Sequence, residues 1–226
     1  MESWCTPRKS CPNYVAAMED VLELYQGAHD PSRPLVCVDE LPVQFFGEVA
    51  AALPPRPGSP AKQDYEYIRN GSGSVFMAFA PLEGKRLIYV APGATRTGPD
   101  YAHFLRMISD EWLPDAREIT IVQDNLSSHS KGSLYRAFPA PEARRLARHF
   151  DFHFTPKHAS WLNVAESEIS VFVRQCLNRR IPDEATLRAE AKAWEHARNA
   201  TATKANWQFT TGDARIKLAS LYPQFN

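Results

Sequence analysis

The sequence contains no apolar run approaching the 18 or more residues that a membrane-spanning helix needs. It has no net charge either. Its 26 Lys and Arg balance 26 Asp and Glu, so no overall field marks a polyanion-binding protein, and any basic surface must be patched locally. The four cysteines, Cys5, Cys11, Cys37 and Cys176, form no CxxC pair, and no signal-like stretch opens the chain. That usage speaks against a paired-cysteine zinc site and a secreted disulfide framework, and for reduced thiols in a cytosolic protein. The first thirty-odd residues hold one helical pattern, too little for a helix-turn-helix. What remains is ordinary: 226 residues, 44% hydrophobic and 23% charged, enough for one large domain or a domain with an added helical element.

Periodicity divides the chain into elements. Apolar residues at 14, 15, 18, 21, 22 and 25 predict a helix ended by Gly27. The continuous apolar run 35–39 reads as a strand covered on both faces and broken by Asp39 and Glu40. A Pro-rich loop covers 54–60, and 65–69 alternates like an edge strand that stops at the turn pair Asn70-Gly71. Two strands, 75–80 and 86–91, flank Leu82-Glu83-Gly84-Lys85 as a hairpin. A helix follows from Gly98, then the β-branched strand 119–122, helical patterns over 134–138 and 141–150, and a short strand over 151–154. The order β-β-β-α-β-α-β-α, with one early hairpin and later helical crossovers, predicts an α/β fold: a mixed five-stranded sheet flanked by helices, the ribonuclease-H-like arrangement. The expected division is a helical lead-in over 1–33, a core over 34–181 and a helical extension over 182–226 packed on it. The extension's first helix, 183–201, is announced by the cap Pro182-Asp183-Glu184.

Asp39 and Asp124 follow apolar strands, and a third acid comes from a helix. If Ser160 caps that helix, steps of 100° put Trp161, Leu162, Ala165, Ile169, Phe172, Val173, Cys176 and Leu177 on one apolar arc. On that wheel Glu166 falls inside the arc and Glu168 outside it. An acid in a packed face is costly unless something compensates, which selects Glu166 as the ligand and Asn163 as the residue that orients it or touches substrate. Three such acids are the donor set of a divalent-metal nuclease, because hard cations prefer carboxylate oxygens. Asp39, flanked by two strand neighbours, is expected to bridge two ions. Arg56, Lys62 and Arg69, near Tyr65 and Tyr67, are candidate backbone contacts beside the plainer reading of a solvated loop. Lys157 and His158 are expected to meet a phosphate, His129 to touch substrate or loop backbone, and Trp161 to anchor the core.

The motifs Val38-Asp39-Glu40, Gln123-Asp124-Asn125 with Ser128-His129, and Ser160-Trp161-Leu162-Asn163-Val164-Ala165-Glu166 resemble the DDE domain of bacterial insertion-sequence transposases related to mariner elements. So do Trp207-Gln208-Phe209-Thr210 and Asp213-Ala214-Arg215-Ile216-Lys217-Leu218, and the likeness runs over about residues 34–222. The resemblance implies two Mg²⁺ or Mn²⁺ ions on Asp39, Asp124 and Glu166, and cleavage and strand transfer at element ends. It implies DNA partners in the terminal repeats and the target, and a homodimer when engaged with DNA. Family members usually carry a helix-turn-helix region; the likeness here is to the catalytic half, as in a separate reading frame or a truncated copy, and a separately encoded helix-turn-helix polypeptide is one candidate partner. The expected location is the cytoplasm, nucleoid-associated when DNA is bound. The alternative is an inactive or domesticated ribonuclease-H-like domain that binds DNA or a partner, and a nuclease for RNA–DNA hybrids is a weaker third.

Overall fold

In the computed structural model, which describes residues 7, 10–93 and 96–224, a five-stranded mixed sheet is covered by helices on both faces. Helix α1 (Pro12–Gln26) leads into strands β1 (Leu35–Glu48), β2 (Tyr67–Ala80) and β3 (Lys85–Ala91). Helix α2 (Gly98–Met107) continues as a π-helical turn over Ile108–Trp112 and leads to β4 (Ile119–Gln123). The short helices α3 (Lys131–Ala137) and α4 (Ala140–His149) precede β5 (Phe150–Phe154). After β5 come α5 (Val164–Gln175), α6 (Glu184–Thr201) and α7 (Thr211–Lys217). The strands lie in the order β3-β2-β1-β4-β5, with β3, β2 and β1 antiparallel and β1, β4 and β5 parallel.

Two strand boundaries differ from the expectation. β1 does not stop at Asp39 and Glu40 but runs on to Glu48, and β2 does not turn at Asn70-Gly71 but begins at Tyr67 and passes through them. The reason is register. β1 pairs with β2 from Cys37 opposite Phe79 out to Glu48 opposite Tyr67, with one irregularity between Gln44 and Phe46. Continuous backbone pairing carries the polar residues along, and Gly71, at φ +100°, takes the one backbone angle in the stretch that a side chain would resist.

Alternation along β1 sorts the core into two layers. Val36 and Val38 face α2, α3 and α4, with Tyr101, Phe104, Leu105, Leu134 and Leu146. Leu35 and Cys37 face α1 and the tail, with Met18, Leu22, Ala214 and Leu221. Further out, Val43 and Phe45 on that same face meet α5 and α6 through Phe172, Leu187 and Trp194. Residues from the first and last parts of the chain therefore close one face of the sheet together. Trp161 is half-buried there, stacked on Trp207 and edge-on to Phe209, as a core anchor. Cys11, Cys37 and Cys176 are free thiols, and Cys5 lies outside the described residues. Among the described residues no helix is long and apolar enough to cross a membrane.

Candidate active site

The parallel pairing of β1 with β4 ends at Cys37 opposite Val122. Two residues further on, the same register brings Asp39 and Asp124 side by side, on the sheet face that Cys37 and Val122 share. Here the parallel pairing ends: β4 stops at Gln123 while β1 runs on against β2 alone, which opens a crevice past the carboxyl end of β4, the side on which α/β sheets take ligands. Glu166 enters from the same face, in the first turn of α5. Its place is set by Asn163, which caps α5: the side-chain amide donates to Val38 O at 2.9 Å and its oxygen accepts from Ala165 N at 3.2 Å. Helix α5 is thus tied to β1 one residue before Asp39. Tyr25 of α1 holds the same turn, its hydroxyl donating to Leu162 O at 2.7 Å.

Charge couples the three acids. Burial, offset by the Glu40 backbone N–H and reinforced by the negative charges of Glu40, Glu166 and Asp124, raises Asp39 to a pKa of about 7. Burial likewise raises Glu166, with Ser160 hydrogen-bonding against it and Asp124 adding to it. Beyond Asp124, His129 sits between it and Glu40, with Nδ1 2.5 Å from Asp124 Oδ1 and Nε2 3.1 Å from Glu40 Oε2. Burial disfavours a charged ring there, yet the bonds to Asp124 and Glu40 prevail and raise His129 to about 9. No cation among the described residues pairs with Asp39 in this way. Among the described residues no group of three or more His, Cys, Asp or Glu side chains is arranged so that it could hold a metal ion as it stands. Asp124 and Glu166 line the crevice with carboxylate oxygens, the class that hard divalent cations take, with Asp39 next to them outside its lining; a cation there would offset the negative charge that adds to the effect of burial on Asp39.

The crevice is about 800 Å³ and is lined by Asp124 and Glu166 together with Lys157, His158 and Ser160. Lys157 and His158 are exposed on its lip, and His158 holds a left-handed φ of +65°, an angle that costs energy outside glycine. Two expectations for DNA contact are corrected. Asn163 is 2% exposed with both ends of its amide used internally, and His129 is 3% exposed between two carboxylates, so neither presents a free polar group to a ligand. Arg56, Lys62 and Arg69 lie on the outer β1–β2 hairpin and its connection, exposed and not among the residues lining the crevice.

The helical wheel also needs correction. Ser160 opens a short 3-10 turn, and the α-helix starts only at Val164, capped by Asn163. The buried arc of α5 is Val164, Ala165, Glu168, Ile169 and Phe172, so Glu168 lies inside it and Glu166 outside. Glu168 is the compensated buried acid: Arg86 donates to it at 2.8 Å and Arg198 at 2.9 Å. Glu166 is distinguished by its position over Asp39 and Asp124, not by burial. Sequence reasoning missed Glu40 and Tyr25 as positioning residues. The two-residue alternation of β1, which turns Glu40 away from Asp39, was the available signal for the first.

A family model described as DDE superfamily endonuclease matches residues 34–188. No curated protein matches the sequence. Solved structures match in fold. The Mos1 mariner paired-end complex with Mn has a TM-score of 0.54 and 14% identity over 90% of this chain and 61% of that one. The Mos1 transposase paired-end complex with left transposon end has a TM-score of 0.59 and 13% identity over 98% and 66%. The Mos1 strand transfer complex has a TM-score of 0.59 and 13% identity over 90% and 60%. The chain thus spans about three fifths to two thirds of the length of these structures, and its fold is the ribonuclease-H-like one expected.

Proposed function

Since the chain belongs to the DDE superfamily endonucleases, we propose that it is the catalytic part of a DNA transposase, cutting phosphodiester bonds at element ends and joining them to target DNA. The observation that carries this reading is the placement of Asp39, Asp124 and Glu166 together, where the parallel pairing of β1 and β4 ends and α5 begins; burial first, and the charges of Glu40, Glu166 and Asp124 after it, raise Asp39 to about 7. Two Mg²⁺ or Mn²⁺ ions on these acids would supply activation of the attacking water or 3′-hydroxyl and stabilisation of the leaving oxygen. This chain's own part is to deliver the ligands from a rigid sheet edge and a capped helix. Asn163 fixes Glu166 relative to β1, while His129 and Glu40 hold Asp124 from the far side. Lys157 and His158 on the lip are suited to a backbone phosphate.

Residues 34–181 form the catalytic core in this reading, with 1–33 and 182–226 packed on it. Two copies would hold two element ends, and a helix-turn-helix polypeptide would provide end recognition. An insertion-sequence origin and a cytoplasmic, nucleoid-associated location go with it. The test is nicking of a labelled duplex carrying candidate ends, in Mg²⁺ or Mn²⁺, by the wild type and by Glu166→Gln. Metal-dependent nicking reduced at least a hundredfold in the variant is expected. An equally active variant overturns the assignment of Glu166.

A further inference from the structure

The basic face of α4 takes no part in the acid site. The helix turns Ala143, Leu146 and Ala147 inward and Arg144, Arg145 and Arg148 outward. With Arg117, just before β4, and His149, these arginines line an open hollow of about 520 Å³. Arg145 is already satisfied: it grips Asp110 with two nitrogens, at 3.0 and 2.8 Å, and also bonds Glu142. His149 is engaged at both ring nitrogens, by Ser109 Oγ and by Ala116 O. Arg117, Arg144 and Arg148 are exposed and form no ion pair within 4 Å among the described residues, although Arg117 lies near enough to Asp30 to attract its carboxylate.

Helix stability does not explain this set. A cation in the last turn is favoured by the helix dipole, which accounts for Arg148. Arg144 sits one turn earlier, where an i,i+4 pair of like charges weakens the helix, and Arg117 is outside it. In a chain with zero net charge, three unpaired guanidiniums around one hollow are a local concentration of charge. Guanidinium forks match phosphate oxygens two at a time, and an open hollow suits a backbone running across it rather than an enclosed small ligand.

We infer that this hollow is a second DNA site, which grips the phosphodiester backbone of duplex DNA away from the acids; the inference rests on the DNA-cutting reading above. Arg117 precedes β4 and Asp124 follows it, so the two places are roughly 20 Å apart along the strand, the length of about six base pairs.

The test measures binding of a 30-base-pair duplex across a salt series. It compares the wild type with a triple variant, Arg117→Gln, Arg144→Gln and Arg148→Gln, and with the corresponding triple lysine variant. Each lost phosphate contact should flatten the slope of log affinity against log salt by about 0.9, so the glutamine variant should lose about 3 from the slope and roughly a hundredfold in affinity at 0.1 M salt. The lysine variant should keep the slope, and cleavage at saturating DNA should change less than twofold in both. A wild-type slope in the glutamine variant overturns the inference alone, as does equal loss in the lysine variant. Inorganic phosphate competing at millimolar concentration for the same arginines marks a small-anion site and also overturns it. A wild type that binds no duplex removes the DNA-cutting reading as well.

Discussion

A carboxyl with a pKa of about 7 is half protonated at neutral pH, and Asp39 reaches that value because burial and three negative neighbours act together. The folded state binds this proton more tightly than the unfolded chain, whose Asp titrates near 3.8. The contribution to stability is therefore complete below about pH 4 and is lost as pH rises through about 7. Asp39→Asn removes that loss. In metal-free buffer the variant should melt with the wild type at pH 4 and above it at pH 8, by about 2 kcal/mol after allowance for partial solvation. It should also lose metal-dependent nicking. Thermal melts in chelator at the two pH values check this, and a gap that does not widen with pH would mean that Asp39 stands outside a shared negative field.

Helix α5 carries two acids two residues apart, on nearly opposite faces and with opposite duties, and the pair shows what sequence could and could not disclose. Period and β-branched composition were enough to find β4, β5, α6 and the β2–β3 hairpin, and the strand ends pointed to Asp39 and Asp124. The wheel of α5 was not legible. Its phase depends on where the helix starts, and that is fixed by the Asn163 amide reaching Val38 O, a contact 125 residues distant in sequence. Nor could spacing reveal that Arg86, fully buried on β3, meets Glu168, or that Glu40 turns to His129. Long-range pairings of this kind are set by register. They lead to a paired expectation. Glu168→Ala leaves the Arg86 guanidinium buried without its counter-charge and should destabilise the fold by about 3–5 kcal/mol. Glu166→Ala, at the edge of a solvated crevice, should leave stability within about 1 kcal/mol while abolishing nicking. Urea unfolding of both variants decides the matter, and equal destabilisation would mean that Glu166 is a structural acid too.

Across the whole molecule, 26 positive and 26 negative side chains cancel, yet like charges meet at two places, the acids where the parallel pairing of β1 and β4 ends and the arginines of α4. His129 offsets only part of the first and Asp110 and Glu142 only part of the second, so a neutral chain that keeps both gains stability from whatever ion fills either one. A ligand that binds only the folded state stabilises it by RT ln(1 + [L]/Kd), about 2.7 kcal/mol at a hundredfold excess over Kd. For a domain of this length that is roughly 5–10 °C in melting temperature. Mg²⁺ or Mn²⁺ should therefore raise the wild-type melting temperature by that order and leave Asp124→Asn unmoved. The glutamine triple on the arginine face should respond like the wild type, because its cations lie at the other end of β4. A wild type whose melting temperature ignores both metals, while duplex DNA still binds, would favour the inactive, DNA-holding form of this fold, since acids that no cation reaches cannot activate a nucleophile.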